Sequence, residues 1–152
     1  MIKINLQLKL KIIGGIKIMI NISQIKVRYA ETDQMGVVYY SNYFIWMEVG
    51  RTNLLRDYGL TYKNLEESGI MLPVVEAYAK YIAPAYYDDD IYIHSKVTGL
   101  TNVKIKIDYE IYRNKNELVC KGYTVHAFVS VENKKIIKVP KSFQEKIIVY
   151  NN

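Results

Sequence analysis

The sequence predicts a two-layer α+β domain in which a long antiparallel sheet is wrapped around one central helix. Residues 41–58 carry apolar side chains at helical spacing. Residues 91–98 and 103–112 alternate apolar and polar side chains, as strands with one buried face do, and the turn-like segment 100–102 joins them antiparallel. A helix this apolar must be covered, and a curved sheet with one apolar face covers it most simply.

The other elements follow from local patterns along the chain. Ser41 is a suitable N-cap for the long helix, and Gly59 a suitable C-terminal stop. The remaining predictions are a first strand (22–29), a loop (30–39), a helical turn (61–68), two strands (71–82 and 118–131) and a C-terminal helix (140–149).

Length, charge and cysteine content limit the class of protein. The chain has 152 residues, which suits one domain with a sizeable core. Its formal charge is +6, but four lysines lie in residues 1–18, which contain no acid, so the remainder carries only +2. We therefore expect no nucleic-acid partner.

We also expect no stable membrane insertion, because no apolar run approaches the roughly 20 residues that span a bilayer. The single cysteine, Cys120, fits a cytoplasmic location.

Residues 1–18 differ in composition from the rest of the chain. They consist almost entirely of Ile, Lys, Leu, Asn, Gln and Gly, and we expect a non-native or disordered extension, with Met19 as the physiological start and residues 19–152 as the single domain. Gly14 and Gly15 are encoded by two GGN codons, which can supply a ribosome-binding GGAGG sequence three codons before Met19. The alternative is a genuine extra edge strand, since residues 2–12 alternate loosely.

Two common kinds of site find no support in the sequence. Gly14 and Gly15 lack the spacing and the Lys–Ser/Thr pair of a phosphate-binding loop. The chain has only two histidines, His94 and His126, so no metal site is expected. The alternation of their strands places both on the polar face, opposite apolar residues such as Val119, and predicts a surface or interface position.

The loop before the long helix has the residues that an acyl-transfer site needs. It holds two acids, Glu31 and Asp33, shortly before Gly36. The first amide groups of a helix have no partner within it, and they can stabilise a carbonyl oxygen that gains negative charge. A carboxylate on the other side of that carbonyl completes a minimal site. An Asp in a loop is, by itself, more often a turn former.

The stretch from Tyr29 to Tyr43 resembles the motif of the 4-hydroxybenzoyl-CoA thioesterase family and its acyl-CoA thioesterase relatives. The likeness extends more weakly over residues 22–148 through Glu48, Arg51 and Pro140. The matching motif positions are Tyr29, Glu31, Thr32, Asp33, Gly36, Val37, Val38, Tyr39, Tyr40, Asn42 and Tyr43.

The resemblance implies a hotdog fold and an acyl-CoA thioesterase. It implies that Asp33 is the catalytic carboxylate, and that the backbone amide of Tyr40 polarises the thioester carbonyl. Many acyl-CoA thioesterases of this group have His where this chain has Tyr40, so only a backbone role carries over. The implied substrate-binding residues are Gly36, Val38, Tyr39, Asn42 and Tyr43.

The resemblance further implies a homodimer or homotetramer with acyl-CoA as the substrate and no separate cofactor. Asp33 is expected to act as a nucleophile or as a general base. The acyl chain, the choice between coenzyme A and an acyl carrier protein, and dimer against tetramer stay open. Two alternative functions are a non-catalytic acyl-CoA-binding protein and a hotdog dehydratase or hydratase, which needs a His–acid pair.

Overall fold

The computed structural model describes residues 6–13 and 16–151, with side chains described for residues 19–147. No helix in these ranges is long and apolar enough to cross a membrane. The strands are β1 (Leu6–Ile13), β2 (Ile16–Lys26), β3 (Ile70–Met71), β4 (Val74–Tyr81), β5 (Asp90–Leu100), β6 (Lys104–Arg113), β7 (Glu117–Ala127) and β8 (Val129–Ser130), and the helices are α1 (Asn42–Asp57), α2 (Tyr62–Glu67) and α3 (Lys141–Asn151).

Six strands form one antiparallel sheet in the order β1-β2-β5-β6-β7-β4, while β3 and β8 pair separately. The central helix α1 lies against β2, β5 and β6. This arrangement confirms the predicted α+β architecture, with a long sheet around one helix. The apolar interior between the two layers includes Trp46, Met47, Leu54, Ile93, Ile107 and Phe128, each at most 1% exposed.

The ends of α1 agree only in part with the sequence prediction. Ser41 occupies the N-cap position, but its backbone is helical and its side chain makes no capping hydrogen bond. At the other end, Gly59 has φ +75°, a conformation that glycine adopts without strain. The amides of Gly59 and Leu60 donate to the carbonyls of Arg56 and Leu55 at 2.8 and 2.7 Å, which terminates the helix as a Schellman motif does.

Helix α1 approaches the sheet most closely at Gly50. A Cβ atom built on Gly50 would lie 2.3 Å from Ser95 Oγ and 2.7 Å from Ile93 Cγ2, both on β5. Real Cβ contacts are not this short, so a larger residue would push helix and sheet apart. A glycine at this point therefore sets the distance between the two layers.

The predicted alternation is correct for two strands and wrong for part of a third. In β5 and β6 the predicted apolar faces are buried. In β7 the register against β6 shifts at Val119, because Ile111 pairs with Cys120 while Tyr112 pairs with Leu118. This bulge moves the following residues to the opposite faces. His126 is consequently fully buried, not at a surface or interface as predicted.

His126 belongs to a buried chain of hydrogen bonds. Its Nδ1 lies 3.1 Å from the carbonyl oxygen of Leu72, and its Nε2 lies 2.8 Å from the hydroxyl of Thr124. The Thr124 hydroxyl lies 2.8 Å from that of Tyr109. Burial, followed by the positive charge of Arg51, lowers the pKa of His126 to about 4.

The predicted strand 71–82 is divided into two. Leu72 and Pro73 separate β3 from β4, and these two strands belong to different sheets. Proline has no amide hydrogen for a ladder and therefore favours such a break. β4 ends the six-stranded sheet, and its side chains are mostly exposed, including Val75, Tyr78 and Tyr81 at 52, 48 and 44%.

The N-terminal segment pairs with the opposite edge of this sheet. β1 pairs antiparallel with β2 from Leu6–Ser23 to Ile13–Ile16, which is the arrangement of the extra-strand alternative. Residues 1–5, Gly14 and Gly15 lie outside the described residues. The start at Met19 stays a prediction. β2 pairs with β5 only over residues 21–26, so this pairing does not require residues 1–18.

The buried His126 makes stability depend on pH. Its pKa is about 4 in the folded protein, against an ordinary 6.5 that applies to the unfolded chain. The unfolded chain therefore takes up a proton first as the pH falls. The stabilisation is complete above about pH 6.5 and falls by up to about 3 kcal/mol as the pH drops towards 4. Urea unfolding should show a flatter pH dependence between pH 4 and 6.5 for His126→Gln than for the wild type. An unchanged slope in His126→Gln would contradict this account.

We expect a variant that starts at Met19 to fold as the full chain does. The deletion removes β1 and the first residues of β2, but it leaves intact the pairing of β2 with β5 over residues 21–26. The unfolding midpoint and the turnover rate should both stay close to those of the full chain. A marked fall in either would instead favour the extra strand as a genuine part of the domain.

Candidate active site

Asp33 begins a tight turn between β2 and α1. Its backbone carbonyl accepts a hydrogen bond from the Gly36 amide at 2.9 Å, and its carboxylate Oδ1 accepts one from the Met35 amide at 2.9 Å. Gly36 has φ +78°, so the turn needs a residue that tolerates a left-handed backbone. Among the described residues, no hydrogen bond reaches Asp33 Oδ2. One carboxylate oxygen thus shapes the turn and the other is available.

The turn is closed as a small hairpin and lies on the segment before β5. The Asp33 amide donates to the Val37 carbonyl at 2.9 Å, and Thr32 forms a bridge with Val38. The Val38 amide then donates to the Ala85 carbonyl at 2.9 Å. These backbone bonds hold Asp33 at a fixed place relative to the sheet.

Glu31 connects this loop to the helix. Its carboxylate is buried, at 5% exposure for the residue. Oε1 accepts hydrogen bonds from the Arg28 amide at 2.8 Å and the Arg28 guanidinium at 3.4 Å, while Oε2 accepts one from the Trp46 indole at 2.9 Å. Trp46 lies on α1, so the bond fixes the loop against the helix. The structure therefore gives the first acid of the loop a structural role.

The backbone at the start of α1 is oriented by side chains. The Tyr39 amide donates to the Glu31 carbonyl at 2.8 Å, and the Tyr39 carbonyl accepts from the Asn42 amide at 3.0 Å and from Asn42 Nδ2 at 3.3 Å. Asn42 Nδ2 also donates to the Glu31 carbonyl at 2.9 Å. Within the described residues, the Tyr40 amide donates to no protein acceptor, so it is available to a ligand.

These features meet at a cleft of about 450 Å³. Its lining is aromatic and aliphatic apart from the carboxylate of Asp33, which suits an apolar acyl group beside one reactive acid. The lining residues are Asp33, Met35, Val37, Val38, Tyr39, Tyr40, Tyr43, Tyr81, Ile82, Ala83 and Pro84.

Two tyrosines of the cleft, Tyr39 and Tyr43, keep their protons at neutral pH. Burial raises the pKa of Tyr43 to about 12, and this residue packs between Trp46 and Tyr81 with ring centroids 4.8 and 5.1 Å away. A hydrogen bond with Tyr40, and to a lesser extent the charge of Asp33, raises the pKa of Tyr39. The hydroxyls are therefore donors or neutral acceptors, and Asp33 is the one acid that lines the cleft.

The structure brings most of the predicted site residues together. Asp33, Tyr40, Val38, Tyr39 and Tyr43 all line the cleft. Gly36 and Asn42 do not line it. They shape the turn and the helix start beside it. The catalytic and substrate-binding roles of all seven residues stay predictions.

Sequence reasoning missed Tyr81 at the end of β4, and it did not include Ile82 and Ala83. Tyr81 lies 41 residues beyond Tyr40, yet its hydroxyl donates to the Tyr40 carbonyl at 3.0 Å. A fold-level contact of this kind leaves no local signal. Only a correct placement of the edge strand would have revealed it.

Comparison with known proteins identifies relatives of this chain. The model of the thioesterase-like superfamily matches residues 27–147. The provisionally named acyl-CoA thioesterase YneP of Bacillus subtilis is 40% identical over 122 residues, covering 80% of this chain and 88% of YneP. The acyl-CoA thioester hydrolase YbgC of Escherichia coli O157:H7 is 27% identical, covering 78% and 88%. The solved DHNA-CoA thioesterase of Staphylococcus aureus superimposes with a TM-score of 0.78 at 31% identity, covering 83% and 85%.

The chain belongs to the thioesterase-like superfamily. The resemblance and the hotdog fold inferred from the sequence are confirmed, and so is the enzyme class, a thioester hydrolase.

Replacement of Glu31 by Gln should destabilise the protein. A glutamine has one acceptor oxygen, so it loses the hydrogen bond from either Arg28 or Trp46. Its amide NH₂ group then faces the N–H group of that residue, and two donors oppose each other. We expect a loss of about 2 kcal/mol in the free energy of unfolding, measured with urea. The matched control is Glu132→Gln at an exposed position. A Glu31→Gln protein as stable as this control would contradict the structural role of Glu31.

Proposed function

We propose that this protein hydrolyses an acyl-CoA thioester to the free acid and coenzyme A, with Asp33 as its catalytic carboxylate. One observation carries the proposal: Asp33 and Tyr40 line the same cleft. Among the described residues, no hydrogen bond reaches Asp33 Oδ2, and the Tyr40 amide has no protein acceptor. The names of the relatives YneP and YbgC support the acyl-CoA substrate. Coenzyme A enters only as part of the substrate.

In this proposal the start of α1 stabilises the transition state. Attack on the thioester carbonyl moves negative charge onto its oxygen. The Tyr40 amide, together with the positive end of the α1 dipole, would stabilise that charge as it develops. The bond from carbon to sulfur then breaks, and the coenzyme A thiolate leaves. Because a thiolate leaves readily, a strong acid beside the sulfur is not required.

Asp33 can supply the attack in two ways. As a nucleophile, its carboxylate oxygen bonds to the acyl carbon and expels the thiolate, and water then cleaves the mixed anhydride. As a general base, it takes a proton from a water that attacks the carbonyl directly. Asp33 Oδ1 is occupied by the Met35 amide, so Oδ2 is the oxygen that we assign to either role.

The positions of the histidines favour hydrolysis over a hydratase or dehydratase reaction. Such a reaction on this fold would need a histidine beside the acid. His126 is buried and is hydrogen-bonded to Leu72 and Thr124. His94 packs against Tyr112 on β6, with ring centroids 4.8 Å apart. Neither histidine lines the cleft that holds Asp33.

We propose a homodimer, or a homotetramer built from it, that pairs through β4. This strand is an edge of the sheet, and its side chains Val74, Val75 and Tyr78 are 49, 52 and 48% exposed. Exposed apolar edges are usually covered in stable proteins. Tyr81 ends the strand and lines the cleft, so pairing here would bring the cleft close to the second copy.

Asp33→Asn should lower kcat by about 100-fold or more with a modest effect on substrate binding. Asparagine keeps an oxygen that can accept the Met35 amide, so the turn survives while the charge and the nucleophile are lost. The assay is hydrolysis of short, medium, long and aromatic acyl thioesters of coenzyme A and of acyl carrier protein, with thiol release as the readout.

The matched control is Asp88→Asn. Asp88 is an exposed aspartate with φ +68°, a conformation that asparagine also tolerates. This control should keep wild-type turnover, and both variants should keep the association state of the wild type by light scattering. Near-full turnover in Asp33→Asn would refute the role of Asp33. Tight binding of acyl-CoA without any turnover by the wild type would favour the non-catalytic alternative.

A further inference from the structure

The carbonyl of Tyr40 is held by a residue from the far edge of the sheet. The Tyr81 hydroxyl at the end of β4 donates to it at 3.0 Å. In a regular α-helix the Phe44 amide would donate to the Tyr40 carbonyl. Here it donates to the Ser41 carbonyl instead, at 3.2 Å. The peptide group between Tyr40 and Ser41 is thus oriented by Tyr81.

The preceding peptide group, between Tyr39 and Tyr40, is held by Asn42. The Tyr39 carbonyl accepts two hydrogen bonds from Asn42, at 3.0 Å from the backbone amide and 3.3 Å from Nδ2. In a trans peptide the carbonyl and the next amide point in opposite directions. With the Tyr39 carbonyl turned towards the helix, the Tyr40 amide is turned outwards. Both peptide groups that flank the Tyr40 Cα atom are therefore fixed by side chains.

We propose that Tyr81 is a positioning residue for thioester hydrolysis, acting by fixing the backbone on which the Tyr40 amide is presented to the substrate carbonyl. This inference rests on the proposed function of the cleft. It adds a residue that the sequence motif does not contain, and it gives the edge strand β4 a part in the reaction. A preorganised donor needs no rearrangement as charge develops on the substrate oxygen.

The surroundings of Tyr81 suit this task. Its ring packs edge-on against Tyr43 with centroids 5.1 Å apart, and Tyr43 is only 3% exposed, so the ring has a fixed support. Partial burial raises the pKa of Tyr81, so its hydroxyl keeps the proton that it donates. Phenylalanine at this position would keep the ring contact and lose only the bond to the Tyr40 carbonyl.

Tyr81→Phe is the direct test, with Tyr78→Phe as its matched control. Tyr78 lies on the same strand, is similarly exposed at 48 against 44%, and does not line the cleft. We expect Tyr81→Phe to lower kcat by about 10-fold, less than the loss of an oxyanion donor itself, with KM changed by less than about 2-fold. The unfolding midpoint should not change. A purely structural role would lower stability without this separation of kcat from KM.

A second readout does not depend on turnover. In the NMR spectrum of the ¹⁵N-labelled protein, Tyr81→Phe should shift the Tyr40 and Ser41 amides and speed their hydrogen exchange, while Tyr78→Phe should leave both unchanged. Unchanged amides, or a kcat equal to that of Tyr78→Phe, would overturn the inference.

Asp33→Asn, assayed beside these variants, separates this inference from the proposed function. If Asp33→Asn is inactive and Tyr81→Phe is fully active, the role of Tyr81 alone is refuted. If Asp33→Asn keeps full turnover, the proposed role of Asp33 is refuted, and the amide spectra still decide whether Tyr81 fixes the Tyr40 backbone.

Discussion

The buried carboxylate of Glu31 is the constraint on which the candidate site depends. Its two oxygens accept hydrogen bonds from Arg28 and from the indole of Trp46. The backbone carbonyl of Glu31 accepts hydrogen bonds from the Tyr39 amide and from Asn42 Nδ2. A carboxylate out of contact with water is tolerated only when such donors surround it. The same hydrogen bonds also hold the donors, Arg28 and Trp46, in place. These hydrogen bonds consequently connect the loop to the first turns of α1.

The two acids of this loop, two positions apart in the sequence, have different environments. Glu31 is buried and uses both oxygens, whereas Asp33 is partly exposed and one of its oxygens closes a turn. Residue type and spacing do not distinguish these two situations. The resemblance implies reactivity for Asp33, and this role stays a proposal. In the structure Asp33 lines the cleft, and no hydrogen bond from the described residues reaches its Oδ2.

Most patterns that depend on nearest neighbours predicted the structure correctly, with the side-chain cap at Ser41 as an exception. Patterns broken by tertiary contacts did not. The alternation of β5 and β6 and the stop at Gly59 are local properties, and the structure agrees with them. The bulge at Val119 arises from pairing with β6, so a strict alternation through β7 placed His126 on the wrong face. The contact of Tyr81 with Tyr40 likewise requires the order of the strands. The site was therefore predictable where it lies in one loop, and not where the sheet contributes to it.

The buried chain that contains His126 has a single direction. A carbonyl can only accept, so Leu72 requires the proton on Nδ1 and leaves Nε2 of the neutral ring as an acceptor. Thr124 must then donate to Nε2, and Tyr109 must donate to Thr124. The protons thus run one way, from the phenol of Tyr109 on β6, through Thr124 and His126 on β7, to the Leu72 carbonyl before β4. An added proton on the ring would require both hydroxyls to reverse. The chain of hydrogen bonds constrains how the core is assembled, because it is satisfied only when β6, β7 and the segment before β4 take this relative position.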